Sequence, residues 1–131
     1  MKFLFSIILA FLVNCAVAQT QAEMSNAAYA SFQKADDDLN VVYKKILNKY
    51  KTDTAFITNL KSSQRIWISF RDAELKMKYP EREAGDYGSI HAVCRAAYLE
   101  ELTLERTNKL KQWLVGVEEG DACSGSIADK E

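Results

Sequence analysis

The chain has 131 residues and a formal net charge of −1, with 17 Lys and Arg residues against 18 Asp and Glu residues. A balanced charge without a basic stripe argues against nucleic acid as a partner. It also gives no reason to expect attraction to an anionic membrane. The length is sufficient for one domain with a single hydrophobic core.

The N-terminal segment, residues 1–18, has the pattern of a secretory signal peptide. Lys2 supplies the positive charge, residues 3–13 form the apolar run, and residues 16–18, AVA, are a small-x-small cleavage site. The apolar run is shorter than a stable membrane span.

Cleavage after Ala18 predicts a mature domain of residues 19–131 that is periplasmic or secreted and has no transmembrane span. The alternative is a lipoprotein anchored through Cys15. For that alternative, Asn14 is a poor match to the small residue that usually precedes the lipid-bearing cysteine.

Helix signals dominate the mature chain. Strand-like alternation is not sustained, and Pro80 is the sole proline. In the first helix, apolar residues recur at spacings of three and four, which predicts one buried stripe of Phe32, Ala35, Leu39, Val42, Ile46 and Tyr50. Helices are predicted at about 22–50, 54–79 and 90–114, with a polar loop at 80–88. Thr52 or Asp53 can cap the second helix, and Ser89 can cap the third.

The predicted fold class is therefore all-α. We expect a small bundle of three main helices, with a polar loop before the third helix and an extended C-terminal tail. We expect the core of this single domain at about residues 24–114 and the tail at residues 115–131.

Two cysteines remain after signal cleavage, Cys94 and Cys123, and an even pair in an oxidising compartment suggests one disulfide. A helix from Cys94 to Val115 would rise about 30 Å. The segment 116–123 reaches at most roughly 27 Å when fully extended. The bridge therefore needs a nearly straight antiparallel tail or an earlier helix break, and the alternatives are two free thiols or a bridge to another chain.

The second helix carries polar side chains on the face that holds its tryptophan. At about 100° per residue, Leu60, Gln64, Trp67, Arg71 and Glu74 fall on one arc. This arc is where packing against other helices is expected, so its charged groups require an explanation.

The third helix has apolar residues on two sides. One of these arcs consists of Leu99, Leu102, Leu110, Trp113 and Leu114. Thr103 and Arg106 lie within it. A helix that is apolar on two sides is either sandwiched or offers one side to a partner.

Charged groups on packing faces need partners, because burial of an isolated charge is very unfavourable. Arg71 can pair with Glu74 three residues later, and Arg106 can pair with Glu74 or Asp72 across helices. One interpretation is a structural network that fixes the helix register, with Gln64 as a further hydrogen-bonding member. A second is that Arg71 and Arg106 line a partly exposed groove and bind an anionic group.

The sequence contains no nucleophile elbow, metal-binding motif or phosphate-binding loop. Glu74 has no second carboxylate at a motif-defined spacing for acid–base catalysis. The consecutive Asp36, Asp37 and Asp38 lack the glycine and glutamate of a calcium loop. We therefore predict no enzymatic activity, no cofactor and no metal site.

Three blocks of sequence carry a recognisable pattern. The first, ADDDLNVVYKKIL, contains Leu39, Asn40 and Tyr43. The second reads Gln-x-x-Trp-x-x-aromatic-Arg-Asp and consists of Gln64, Trp67, Phe70, Arg71 and Asp72. The third contains Cys94, Thr103, Arg106 and Leu110. Together these blocks, from about Met24 to Leu114, resemble the LprI-like lysozyme-inhibitor domain family of small exported bacterial proteins.

The resemblance implies a helical fold, an envelope location and a non-enzymatic binding role, with lysozyme or another cell-wall hydrolase as the partner. In many members of the family a cysteine precedes the first block and another follows the Arg-Asp pair. Ala27 and Leu75 stand at those places here, so both halves of a bridge are missing together.

Under the inhibitor hypothesis, Glu81, Glu83 and Asp86 of the polar loop would meet a basic lysozyme. The main alternative is a structural or assembly factor of the envelope that docks or dimerises through the arc containing Leu99, with the oligomeric state left open. A third hypothesis is a small-ligand binder with a groove near Arg71.

Overall fold

A computed structural model describes the backbone of residues 2–130 and the side chains of residues 20–130. Within this part of the chain the fold is an all-α bundle of three helices, as predicted. The helices are α1 Lys2–Lys49, α2 Thr54–Lys78 and α3 His91–Val115.

The predicted ends of α2 and α3 agree with the structure to within one residue. Helix α1 begins well before Ala22, where the sequence placed its start. The predicted signal peptide, its cleavage after Ala18 and the lipid-anchor alternative at Cys15 lie outside the residues whose side chains are described. In the described part, no helix is both long and apolar enough to cross a membrane.

The core forms along one stripe of α1, because residues three and four apart share a helix face. Leu39, Val42 and Ile46 from this stripe are buried together with Leu60 of α2 and Leu110 of α3. The sequence predicted this stripe correctly. It is the seam on which the other two helices pack.

Helices α1 and α3 run parallel and pack along their length. Gln21 hydrogen-bonds Ser89 near the start of α3, and Tyr50 hydrogen-bonds the carbonyl of Trp113 near its end. Helix α2 runs antiparallel to both and has a smaller contact with α3. The α2–α3 boundary is therefore a place where a surface cleft can form.

Helix α2 is capped by Asp53, one of the two residues that the sequence offered for this role. The Asp53 carboxylate accepts a hydrogen bond from the backbone N–H of Phe56 at 2.9 Å. The predicted cap of α3 by Ser89 is wrong, since Ile90 occupies the N-cap position and makes no side-chain cap bond. The Ser89 hydroxyl instead accepts a hydrogen bond from the amide of Gln21 at 2.7 Å.

The C-terminal tail folds back over the end of the bundle. Val117 pairs with Asp129 in a single parallel bridge. The Tyr50 hydroxyl donates to the carbonyl of Trp113 at 3.1 Å and accepts from the N–H of Ala128 at 3.2 Å. One side chain thus ties the end of α3 and the tail to the end of α1.

The predicted bridge between Cys94 and Cys123 is absent, because both thiols are free in the structure. Cys94 lies in the first turn of α3, whereas Cys123 lines a surface hollow with Gln112 and Val115 in its last turns. The unbroken helix between Cys94 and Gln112 rises about 27 Å. The tail curls back at the end of α3 rather than running along it, so it does not return Cys123 to Cys94.

Candidate functional site

The inner face of α2 brings most of the predicted site residues together. Gln64, Trp67, Arg71 and Glu74 are half-buried toward the other helices, and Asp72 is exposed at the edge of this face. The two arginines of the sequence blocks, Arg71 on α2 and Arg106 on α3, both lie against the indole ring of Trp67; we call them the signature arginines. Their surroundings nevertheless differ in charge.

Arg71 is a neutralised cation. Its Nε and Nη2 both donate to Oδ1 of Asp72 at 3.0 Å, and its Nη1 lies 3.5 Å from Asp36 on α1. The guanidinium carbon lies 5.4 Å from the Trp67 ring centroid and 5.9 Å from that of Phe32. Arg71 therefore joins α1 to α2.

The predicted pair between Arg71 and Glu74 does not form. The Glu74 carboxylate instead accepts a hydrogen bond from the Tyr98 hydroxyl of α3 at 3.2 Å. Burial, followed by this bond and the nearby negative charge of Glu74, raises the pKa of the Tyr98 phenol above its usual value. The Nζ of Lys78 lies 3.6 Å from the Tyr98 ring centroid, which is a cation–π contact.

Arg106 is held by neutral groups. Its Nε donates to the amide oxygen of Gln64 at 3.0 Å, and its Nη2 donates to the hydroxyl of Ser63 at 3.0 Å. The predicted pairing with Glu74 or Asp72 does not form, and no carboxylate of the described residues lies within ion-pair distance. Burial lowers the pKa of the Arg106 guanidinium, since no carboxylate offsets the loss of water.

Thr103 is a packing residue. Its side chain is fully buried, and its hydroxyl donates to the carbonyl of Leu99 at 2.7 Å. Thr107 repeats the arrangement one turn later, with its hydroxyl 2.8 Å from the carbonyl of Thr103. These threonines bond within α3 and leave no polar group for a ligand.

A cleft of about 430 Å³ opens between the first half of α2 and the second half of α3, beside Arg106. We call it the Arg106 cleft. Its lining residues are Asp53, Ala55, Phe56, Asn59, Leu60, Ser63, Arg106, Lys109, Leu110, Trp113 and Ser126. Aromatic and aliphatic side chains make up much of its wall, with two cationic side chains beside them.

The polar loop of residues 80–88 lies at the opposite end of α2 and α3. Glu81, Glu83 and Asp86 are all exposed. Tyr87 orders this loop, since its hydroxyl donates to the carbonyl of Pro80 at 2.8 Å and accepts from Nε of Arg82 at 3.2 Å. The loop's carboxylates are thus presented on a fixed backbone.

The loop also packs on α3 through an aromatic stack. The ring of Tyr87 lies parallel to that of His91 at 4.4 Å, and Tyr79 contacts both rings. The Nε2 of His91 is buried without a hydrogen-bond partner. The stack therefore fixes the loop against α3 by ring contact.

The α3 arc predicted as a docking surface is covered by the bundle. Leu110 is buried, and Trp113 and Leu114 pack against the core. Three large exposed apolar side chains lie instead on the outer face of α2, at Ile66, Phe70 and Met77. Sequence reasoning missed this stripe, although its spacings of four and seven residues are those of one helix face.

The described residues contain no group of three His, Cys, Asp or Glu side chains that could hold a metal ion. Two separate surfaces remain as candidates for a functional site. One is the acidic loop of residues 80–88, and the other is the Arg106 cleft.

Comparison with known proteins gives a family match and one distant relative. A family model described as lysozyme inhibitor LprI matches residues 14–110. An uncharacterised protein of Rhizobium meliloti (strain 1021) is 27% identical over 116 residues, which cover 80% of this chain and 81% of that protein. No solved structure matches the chain.

Proposed function

The chain belongs to the LprI family of lysozyme inhibitors, and from this membership we propose that it is an exported, non-enzymatic binding protein of the bacterial envelope. Its target is lysozyme or another cell-wall hydrolase. The family match over residues 14–110 is the observation that carries the proposal, because it includes all three signature blocks.

The acidic loop is the surface that we propose for this interaction. Glu81, Glu83 and Asp86 are exposed and outnumber the one cation of the loop, Arg82, so the loop carries net negative charge on a chain of near-neutral charge. A basic hydrolase such as lysozyme is complementary to such a loop. Electrostatic complementarity of this kind accelerates association and selects the partner.

The order of the loop supports the same role. The bonds of Tyr87 to Pro80 and Arg82 and its stack on His91 hold the loop before a partner arrives. A pre-ordered loop loses less conformational entropy on binding than a mobile one. Inhibition then follows from steric coverage of the hydrolase cleft and requires no chemical step.

The test is a cell-wall lysis assay in which residues 19–131 are titrated against hen-type and goose-type lysozymes. Binding is measured by calorimetry in the same buffer. We expect saturable inhibition with a stoichiometry that matches the calorimetric value. Absence of both inhibition and binding with every hydrolase tested would overturn the proposal.

Charge-reversal variants test whether binding depends on the loop carboxylates or only on the net negative charge of the protein. The triple variant Glu81→Lys, Glu83→Lys, Asp86→Lys is expected to weaken binding at least tenfold, mainly through slower association. The matched control reverses three other exposed acids, Asp37, Asp38 and Glu119, and so has the same net charge. Equal losses for the two triple variants would assign binding to net charge and remove the loop from the proposal.

The alternative function is an envelope assembly factor that docks or dimerises through a helix face. The face predicted for it was the α3 arc with Leu110 and Trp113. Leu110 is buried in the core and Trp113 packs against it, so the part of them that is accessible lines the Arg106 cleft and is not an open helix face. The alternative therefore loses the surface on which it was based, and inhibition is the function that we retain.

A further inference from the structure

Arg71 and Arg106 differ in the charge of their surroundings, and the proposed inhibitor function does not involve this difference. Arg71 is neutralised by Asp72 at 3.0 Å and Asp36 at 3.5 Å. Arg106 also lies over the Trp67 ring, and within the described part of the chain its hydrogen-bond partners are the neutral side chains of Gln64 and Ser63. A guanidinium has five N–H donors, so most of the donors of Arg106 are left for another group.

The space beside Arg106 is a cleft of ligand size. Its volume of about 430 Å³ lies within the usual range for small-molecule sites, roughly 300–1,000 Å³. Phe56, Leu60, Leu110 and Trp113 supply an apolar and aromatic wall. A few polar groups beside such a wall are the usual composition of a ligand pocket.

The charge in the cleft is positive. Lys109 lies three residues after Arg106 on α3 and lines the same cleft. The one carboxylate in the lining, Asp53, accepts the N-cap bond from Phe56 and lies about 15 Å along α2 from Ser63. Its negative charge is therefore remote from the guanidinium.

We propose that the Arg106 cleft binds a carboxylate attached to an apolar or aromatic body. The carboxylate pairs with the Arg106 guanidinium, which matches its planar geometry, and the body lies against Trp113 and Phe56. Burial of a cation without an anion is unfavourable, so the anion removes a cost that the free protein carries. This site does not depend on the inhibitor function, because the acidic loop is at the other end of the bundle.

Two sources supply this ligand chemistry, a free aromatic acid and the C-terminus of a peptide. The probes are 3-phenylpropanoate for the first and N-acetyl-Ala-Phe for the second, each compared with its primary amide. Titrations of residues 19–131 are followed by calorimetry and by the NMR signal of the Trp113 indole N–H, which donates to Ser126 at the cleft.

We expect saturable binding of at least one acid, with the matching amide bound roughly tenfold to hundredfold more weakly, the difference expected for one charge-assisted pair. The Trp113 indole signal should shift with the same saturation curve. The acid that binds more tightly identifies the source of the ligand. Failure of both acids to bind, or equal binding of acid and amide, would overturn the proposal.

Two variants test the guanidinium independently. Arg106→Gln removes the cation, and Gln64→Glu leaves Arg106 in place but gives it an internal carboxylate. Both are expected to weaken acid binding at least tenfold, and Arg65→Gln on the exposed face of α2 is the control that should not. If Arg106→Gln does not fold, Gln64→Glu alone decides, and unchanged affinity in that variant would contradict the proposal.

Discussion

The amide oxygen of Gln64 accepts the Nε–H of Arg106 at 3.0 Å, so a signature cation is held across α2 and α3 by a neutral side chain. This bond explains why the apolar arc of α3 tolerates a guanidinium. It also leaves the positive charge of Arg106 available at the surface of the cleft.

The first prediction concerns this bond. Gln64→Glu should raise the free energy of unfolding at pH 7 by about 0.5–1 kcal/mol, since it replaces a neutral acceptor with a paired carboxylate. The pair depresses the folded-state pKa of the new carboxylate below its unfolded value of about 4.3. The gain is therefore present above about pH 4.3 and is lost as the pH falls through the folded-state pKa.

Urea unfolding followed by circular dichroism at pH 7 and pH 3 measures both effects. Gln33→Glu, at an exposed position on α1, is the control for added charge alone. The same gain in the control would show that Arg106 is not the source.

The second prediction concerns Arg71. Arg71→Lys should lower the free energy of unfolding by about 1–2 kcal/mol, because a lysine cannot donate two bonds to Asp72 while its cation lies over the Trp67 ring. Thermal unfolding is the measurement. Arg65→Lys, on the exposed side of the same helix, should leave the melting temperature unchanged. Equal melting temperatures for Arg71→Lys and the parent protein would show that the Arg71 pairing contributes nothing to stability.

The third prediction tests the role of Thr103 as a packing residue. Thr103→Val should cost less than about 1 kcal/mol, because the methyl group fills the same space and the hydroxyl bonds only within α3. Thr103→Leu should cost about 1–3 kcal/mol, since the site is fully buried and cannot accept more volume. Denaturant titrations of both variants check this order, and the reverse order would show that the hydroxyl, not the volume, is what the site requires.

The fourth prediction concerns attachment of the tail. Gly116 has φ 82° and ψ 178°, a region used almost only by glycine, and a Cβ there would lie 2.8 Å from the carbonyl oxygen of Ala128. Gly116→Ala should therefore detach the tail and expose it to limited proteolysis.

Gly120→Ala is the matched control for that variant. Gly120 also has a positive φ, 89°, but a Cβ there would meet nothing within 4 Å. The control should keep the parent's cleavage rate. Equally fast cleavage of both glycine variants would show that backbone strain, and not the contact with Ala128, determines whether the tail detaches.

The fifth prediction concerns stability at alkaline pH. Burial and the bond to Glu74 raise the pKa of Tyr98 in the folded protein. The neutral phenol therefore stabilises the fold below the unfolded-state pKa of about 10, and this contribution is lost as the pH rises through the folded-state value.

Tyr98→Phe should accordingly reduce the loss of stability between about pH 9 and pH 11, measured by urea unfolding at each pH. Tyr29→Phe, at an exposed tyrosine of α1, should retain the parent's pH profile. The prediction fails if the two phenylalanine variants have the same profile.

The sequence by itself determined the helical architecture. The spacing of Leu39, Val42 and Ile46 defined the core stripe because side chains three and four apart share a helix face. Thr52 and Asp53 were the two cap candidates for α2, because a short acceptor before a helix satisfies free N–H groups, and Asp53 is the one that caps it. The three blocks also carried the family resemblance that the family model confirms.

Only the tertiary structure decided which charges meet. Arg71 pairs with Asp36, which lies far away in sequence, and Arg106 pairs with no carboxylate of the described residues. The sequence could not predict these partners, because they depend on how α1 and α3 are placed around α2. The same placement covers the α3 arc, separates Cys94 from Cys123, and opens the cleft beside Arg106. Local periodicity specifies each helix face, whereas the distance between two faces is a property of the packed bundle.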